Sequence, residues 1–336
     1  MTAPSPGRAS QTVAAVLALA VAVRVAIIFL VPPLVDVYYY DAQAVTALAS
    51  GLDPYGHLYS GIPAWLATQG AQNVYAYLPG VFLFLFPFGA VGDVRFGLVA
   101  ADLAVAAGLL GLGGARARVA SIAFFLAPWA FLFSTSYPNN TLVAMAFLGG
   151  YLVAETRGRS LVASVSLGAA LASSQFVWLV YPFLLARYLR RRMPFQAALS
   201  LLVGFLVVLP FALWDYGSFV YDAVFFQFAR PVQPLVTPET FGLNFNPTLS
   251  GLVFTATGLA VPLAARALLA AAALAYLLLR TKGWSELLFS ASAFVLVAVF
   301  VLADDFSWWY LELPFQTLLA GYALRGRDGP DGHVNA

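Results

Sequence analysis

The chain has 336 residues, of which 62% are hydrophobic and only 10% are charged, compared with about 45–50% and about 25% in an ordinary soluble domain. This composition excludes a water-soluble globule. It predicts an all-α, polytopic transmembrane bundle whose solvent is mostly lipid. The net charge of +2 gives no reason to expect nucleic acid as a partner. Cysteine is absent from the sequence, which excludes disulfides and thiolate metal sites.

Long apolar stretches predict the membrane segments, because a helix needs about 20 apolar residues to cross a bilayer and fewer where protein contacts help. We count ten crossings and interpret the first as a retained signal anchor, since it lacks a clear small-residue cleavage site. In chain order the predicted spans are 11–31, 96–113, 119–133, 141–154, 160–174, 176–188, 195–213, 259–279, 284–302 and 310–324.

Basic residues predict the orientation, because they collect on the cytoplasmic side. Thirteen of the seventeen cations fall at alternate ends of the predicted spans. Residues 1–325 are therefore predicted to form one transmembrane domain of a multi-pass cell-membrane protein, followed by a cytoplasmic tail at 326–336. Two long outer loops are predicted at 32–74 and 214–258.

Nine of the fifteen carboxylates fall on the predicted outer side. This indicates either simple tolerance of acidic residues there or a catalytic cleft that opens to the extracytoplasmic face.

The orientation depends on segment 75–94 not crossing the membrane. Pro79 and Pro87 lie within it, and its apolar middle of about 14 residues is short for a span, which favours a re-entrant or tilted hairpin. A true crossing is the alternative, and it would place Arg116 and Arg118 outside.

The first outer loop contains the candidate catalytic carboxylates. Asp36 follows the first span within a few residues and has no evident local role, so we expect it at the membrane surface as a general base. Asp41 is the second catalytic candidate, with an alternative interpretation as the N-cap of a helix over 42–50 that stops at Gly51.

Two neighbouring features of this loop have weaker signals. The sequence Asp53-Pro54-Tyr55-Gly56 is typical of a turn. His57 could bind a divalent metal together with Asp36 and Asp41, but no recognisable ligand spacing is present. We therefore predict neither a metal site nor a cofactor.

A series of loose motifs follows the outer loops. They are Asp36 with Tyr40 four positions later, GLDPY at 51–55, YAYLP at 75–79, LPFALWD at 209–215, FFQFARP at 225–231 and GLN at 242–244. Together they resemble the multi-spanning C-type glycosyltransferases, nearest to the group of mannosyltransferases that use polyprenyl-phosphate mannose.

This resemblance implies an inverting transfer of a hexose, mannose in the nearest group, from a polyprenyl monophosphate to a lipid, glycan or protein acceptor. The family's loop aspartate after the first span acts as the base, and by position that role falls to Asp36. The family often has a lysine near the outer end of a middle helix, where this chain has Ser173-Ser174-Gln175-Phe176. This departure leaves the mode of phosphate binding open.

Cations away from the inner face are the candidates for holding the donor phosphate, because fixed positive charge stabilises the charge that develops on the leaving group. We rank Arg230 first, then Arg24 and Arg266, since a guanidinium can bind two phosphate oxygens at once. For Arg24 and Arg266, which lie within predicted spans, the alternative is a buried ion pair such as one with Asp102.

The remaining candidates for substrate binding lie in or beside the motifs and near the outer boundary: Tyr40, Tyr55, His57, Tyr77, Gln175, Asn244, Asp304 and Asp305. Trp308-Trp309-Tyr310 is interpreted as an interfacial aromatic belt. The expected partners are the lipid-linked sugar donor, the lipid or glycan acceptor and membrane lipids. A transporter or flippase of a lipid-linked sugar is the competing function, and it would place charges along a midplane pathway.

Overall fold

The computed structural model describes residues 6–57, 59–63, 74–226, 232–239, 242–304 and 308–325. These residues are almost entirely helical. The helices are α1 Pro6–Leu30, α2 Asp36–Ala49, α3 Gly80–Ala90, α4 Arg95–Gly111, α5 Gly114–Phe125, α6 Pro128–Ser134, α7 Thr141–Thr156, α8 Ser160–Leu171, α9 Gln175–Arg190, α10 Pro194–Trp214, α11 Tyr216–Val220, α12 Leu249–Thr257, α13 Leu263–Arg280, α14 Trp284–Leu302 and α15 Glu312–Leu324.

Regular structure other than α-helix is limited within the described residues. A π-helical turn at Tyr221–Phe225 follows α11, and a 3-10 helix at Trp308–Leu311 precedes α15. A hairpin in the second predicted outer loop pairs strand β1, Val236–Glu239, with strand β2, Gly242–Phe245, in an antiparallel ladder that sets Thr237 opposite Asn244. The sequence did not predict this hairpin.

Each of the ten predicted spans coincides with helical structure, but fewer helices are long enough to cross a bilayer. Among the described residues α10, α13 and α14 qualify by length and apolarity, and the number rises to five if each of two bent helix pairs counts as one span. The other predicted spans outside the bent pairs include shorter apolar stretches, such as Ala14–Leu30 of α1, the 16 residues of α7 and the 12 of α8. Several helices are thus suited to a membrane, while ten crossings remain a prediction.

The segment from 75 to 94 forms a short helix that turns back. The 11 residues of α3 span only about 16 Å, roughly half the hydrocarbon thickness of a bilayer. After the turn at 91–94, α4 departs at an angle of 120° to α3. This geometry is compatible with the predicted re-entrant hairpin.

The predicted span 119–133 is helical but broken into α5 and α6, which are bent by 56° and together are apolar and long enough to count as one broken span. Pro128 begins α6 and restricts Ala127 to an extended conformation, so the helix cannot continue through it. Asp41 is not an N-cap, because α2 begins five residues earlier, after the extended residue Val35, and Asp41 lies in its interior. The predicted stop is confirmed, since Gly51 has a positive φ of 71° just beyond the helix.

The core lies among α4, α7, α9, α14 and α15, and α2 and α3 pack against one end of it. Helices α4 and α7 approach closely where Gly108 meets Gly149. The absence of a side chain permits this approach, since a Cβ on Gly108 would lie only 3.0 Å from the Cα of Gly149. The segment 135–140 between α6 and α7 is also buried, apart from the partly exposed Tyr137. It brings polar side chains beneath α2, where the predicted catalytic carboxylates lie.

Candidate functional site

Asp36 lies at the first position of α2, six residues after the end of α1. Its side chain is partly exposed. The positive end of the helix dipole favours a negatively charged group at this position. Tyr40 lies one turn later on the same face of α2 and is buried, with its ring packed edge-on against Tyr59 at a centroid distance of 5.5 Å. Asp36 is therefore a carboxylate at the accessible end of a helix whose next turn is anchored in the protein.

Asp41 is completely buried beneath the same helix. Its Oδ1 accepts hydrogen bonds from the Tyr75 hydroxyl at 3.0 Å and from the Asn140 amide at 3.2 Å. Its Oδ2 has no hydrogen-bond partner among the residues that the structure describes. Burial raises the pKa of Asp41 to about 7, against the opposing effect of the two hydrogen bonds. In this conformation no substrate can reach the carboxyl, so its position favours a role in holding α2.

Five tyrosines pack together between α2 and the loop that follows it, and we call them the tyrosine cluster: Tyr40, Tyr55, Tyr59, Tyr75 and Tyr77. Tyr59 stacks on Tyr75 at 6.1 Å, and Tyr55 lies edge-on to Tyr75 at 5.9 Å. The Tyr55 hydroxyl donates to the backbone carbonyl of Tyr77 at 2.7 Å. Because Tyr40 and Tyr55 are buried, they support the loop, whereas the half-buried Tyr77 retains an accessible surface.

The loop after α2 contacts the start of the second predicted outer loop. The predicted turn at 53–56 is confirmed, since Asp53 Oδ1 accepts a hydrogen bond from the Tyr55 amide at 3.0 Å. The Gly56 amide donates to Asp222 Oδ2 at 3.0 Å. A Cβ on Gly56 would lie 2.5 Å from Ser218 Oγ, and its φ of 71° also favours glycine. The close contact between the two loops therefore requires Gly56.

Acidic residues gather where these loops meet. Burial raises the pKa of Asp53 and of Asp222, and the neighbouring negative charge of Asp215 raises both further. Asp215 itself caps α11 through Ser218, and those hydrogen bonds lower its pKa. His57 is exposed beside them. No group of three or more acidic or histidine side chains is arranged to hold a metal ion within the described part of the chain.

Gln175, at the first position of α9, links the loop before α3 to the π-helical turn. Its Nε2 donates to the carbonyl of Ala76 at 3.0 Å and to that of Ala223 at 2.9 Å. Both amide protons are thereby engaged with backbone. This arrangement ties the YAYLP motif at 75–79 to the turn just before the FFQFARP motif at 225–231.

Four cations lie away from the predicted inner face, namely Arg24, Arg95, Arg230 and Arg266. Carboxylates neutralise three of them. Arg24 is fully buried and pairs with Asp102 at 2.7 Å. Arg266 binds Asp304 with both terminal nitrogens, at 2.7 and 3.2 Å.

The third cation, Arg95, pairs with Asp93 at 2.8 Å and also donates to the carbonyls of Ile28 and Val31 at the end of α1. The alternative that Arg24 and Arg266 form buried ion pairs is thus the arrangement observed. Neither guanidinium presents a free surface to a phosphate in this conformation, and the predicted substrate residue Asp304 is engaged with Arg266.

Some predicted site residues fall outside the described structure. Arg230, the first-ranked phosphate ligand, and Asp305 lie outside the described residues. Asn244 is placed only by its backbone, in β2 opposite Thr237. These three predictions stay as predictions.

Sequence reasoning missed the polar residues between α6 and α7. Asn139 donates to Glu312 Oε2 at 2.6 Å, and its neighbour Asn140 donates to Asp41. Both asparagines and Glu312 are buried. The available signal was a pair of amides in an otherwise apolar stretch, which indicates a buried role because a polar group out of water needs a partner.

No family model, curated protein or solved structure matches this chain.

Proposed function

We propose that this chain is a membrane-embedded glycosyltransferase that moves a hexose from a polyprenyl phosphate to an acceptor hydroxyl at the extracytoplasmic face. The proposal includes the C-type architecture with two long outer loops. The observation that carries it is the placement of Asp36: a partly exposed carboxylate at the start of a helix that begins just beyond α1. The motif resemblance supports mannose as the first donor sugar to test.

Asp36 would act as the general base. It removes the proton of the acceptor hydroxyl, the acceptor oxygen attacks the anomeric carbon, and the bond from that carbon to the phosphate oxygen breaks with inversion. The polyprenyl phosphate leaves with the electron pair. The helix N-terminus favours a negative charge at this position, as a base requires, and the partly exposed side chain would be accessible to a headgroup at the membrane surface.

Asp41 would serve as a positioning residue. Its hydrogen bonds to Tyr75 and Asn140 connect α2 to the tyrosine cluster and to the segment before α7. Holding α2 in this way would keep Asp36 in a fixed orientation, which is what efficient proton removal requires. The buried location of Asp41 supports this assignment over direct contact with substrate.

The test is donor consumption by purified protein. Wild type in detergent, supplied with polyprenyl-phosphate mannose labelled in the sugar and with a membrane-lipid extract as acceptor, should release polyprenyl phosphate without any ion gradient. Asp36→Asn should lower the rate by about 10²- to 10⁴-fold, the usual contribution of a general base, while donor binding is retained. Glu286→Gln is the matched control, because Glu286 also lies in the first turn of a helix, α14, at the opposite predicted face.

Two results would contradict the proposal in different ways. Full transfer by Asp36→Asn would show that another residue is the base. Absence of donor consumption by a well-folded wild-type protein would argue against glycosyl transfer from this donor.

A transporter of a lipid-linked sugar is the second candidate, and Glu312 favours it. This carboxyl is completely buried at the start of α15, and its Oε1 has no hydrogen-bond partner among the described residues. Acidic groups inside membrane segments commonly mark transport pathways. Proteoliposomes distinguish the two functions, since a transporter moves the labelled donor across the bilayer chemically unchanged.

A further inference from the structure

A groove of about 350 Å³ lies between α4, α7 and the start of α8. Its walls are formed by small side chains, among them Ala104 and Ala107 on α4 and Ala146 and Gly150 on α7. Ala107 and Gly150 are exposed, so the groove opens at the surface of the protein. In a bilayer such a depression faces hydrocarbon, and leaving it empty would forfeit dispersion contacts along its whole length.

One end of the groove is positively charged. Arg157 and Arg159, in the turn between α7 and α8, both line it. Arg157 donates to the carbonyl of Gly111 at 3.3 Å, which keeps its guanidinium beside the end of α4. Within the described residues neither arginine forms an ion pair. The nearest acidic residue in sequence, Glu155, is instead paired with Arg187 and Arg191 on α9, at 3.2 and 3.0 Å.

The dimensions suit one lipid tail. From Ala146 to Arg157 the helix rises about 16 Å, close to the roughly 15 Å of hydrocarbon in one leaflet. The charged end therefore lies one leaflet's depth from the far end of the groove. An apolar trough of this length that ends in two uncompensated cations is complementary to an acyl chain carrying an anionic headgroup.

We infer that this groove binds an anionic glycerophospholipid, with one acyl chain along the small residues of α4 and α7 and its phosphate at Arg157 and Arg159. The two arginines set the headgroup preference. Each adds attraction to an anionic headgroup, worth about fivefold in binding near a membrane surface. This site lies apart from Asp36 and does not depend on the proposed glycosyl transfer.

Native mass spectrometry of the full chain, released from micelles that contain equal amounts of phosphatidylglycerol and phosphatidylcholine, tests the inference. Wild type should retain phosphatidylglycerol in preference to phosphatidylcholine. In the double variant Arg157→Gln, Arg159→Gln, the ratio of retained phosphatidylglycerol to phosphatidylcholine should fall by about fivefold for each arginine removed. Arg192→Gln is the matched control, because it removes an exposed cation from a different predicted inner turn.

Filling the groove tests the acyl-chain part of the inference. A Cβ on Gly150 would meet only Ser166, at 3.4 Å and beyond, so Gly150→Leu should be tolerated and occupy the space. Ala107→Leu offers a second, independent filling. Both should abolish retention of either lipid at this site, whereas Val297→Leu on the exposed face of α14 should not.

Three outcomes would overturn the inference. They are equal retention of the two phospholipids by wild type, unchanged retention in both filled variants, and preferential retention of polyprenyl monophosphate when it is added in equal amount. The last would identify the lipid carrier as the occupant. Size-exclusion chromatography of each variant excludes misfolding as the cause of a loss.

Discussion

Replacing Arg24 by methionine would leave Asp102 as an unpaired carboxylate in a completely buried position. The Arg24 guanidinium pairs with Asp102 at 2.7 Å, donates to the carbonyl of Phe125 at 2.6 Å and to Ser134 Oγ at 3.2 Å. It also lies between the rings of Phe125 and Phe131, at 3.9 and 3.8 Å from their centroids. Methionine retains a long apolar side chain, so the charge is removed with little change in packing volume.

The expected cost follows from the burial of both partners, each of which has no exposed surface. Breaking a buried pair from one side costs about 3–5 kcal/mol of unfolding free energy, which is about 10²- to 4 × 10³-fold in the unfolding equilibrium. Asp102→Leu should cost a similar amount, because it leaves Arg24 unpaired. The double variant should recover to within about 1–2 kcal/mol of wild type, since exchanging a whole buried pair for apolar residues is often neutral.

The measurement is the thermal midpoint of unfolding in detergent for wild type, both single variants and the double variant, together with donor binding. Recovery in the double variant establishes a structural pair. If Arg24→Met unfolds like wild type but loses donor binding, Arg24 instead serves the phosphate and the reasoning from burial is refuted. A double variant as unstable as either single one would also refute it.

Two further predictions concern stability. Burial raises the pKa of Asp41 from 3.8 to about 7. The protonated carboxyl therefore stabilises the folded state fully below pH 4, and this contribution is lost progressively up to about pH 7, by about 4 kcal/mol in all. A pH series of thermal midpoints should show this slope in wild type and lack it in Asp41→Asn, and equal slopes would contradict the prediction. Gly168→Ala should lower the free energy of unfolding by about 1–3 kcal/mol, because its Cβ would lie 2.6 Å from the Ser200 carbonyl oxygen. Gly150→Ala is the control, since its nearest contact would be at 3.4 Å. Equal thermal midpoints for the two variants would show that α8 and α10 can separate at little cost.

The helices were predictable from sequence because apolar runs of sufficient length have few other stable conformations in lipid. Their ends were less predictable. Pro128 divides one predicted span and was visible in the sequence, whereas the start of α2 at Asp36 was hidden by three consecutive tyrosines, which are not strong helix formers. Tertiary packing of Tyr40 overrides that local preference.

The candidate site was predictable only where its residues are close in sequence. The turn at Asp53 is an example. The ion pair of Arg24 could be offered as an alternative, because a cation within a span needs a buried partner. The hydrogen bonds that Asn140 and Asn139 make with Asp41 and Glu312 join residues 99 and 173 positions apart. No local pattern encodes such pairings.

The separation between Asn139 and Glu312 has a consequence for biosynthesis. At about 5–20 residues per second, the ribosome needs roughly 10–35 s after making Asn139 before Glu312 exists. Gln316, which donates to the Met145 carbonyl across 171 residues, arrives at the same late stage. The Arg24 and Asp102 pair, in contrast, can close early. Helix α15, the last that the structure describes, therefore supplies late partners to the polar interior of the bundle, and a nascent chain that stops before it leaves the buried Asn139 amide without its Glu312 acceptor.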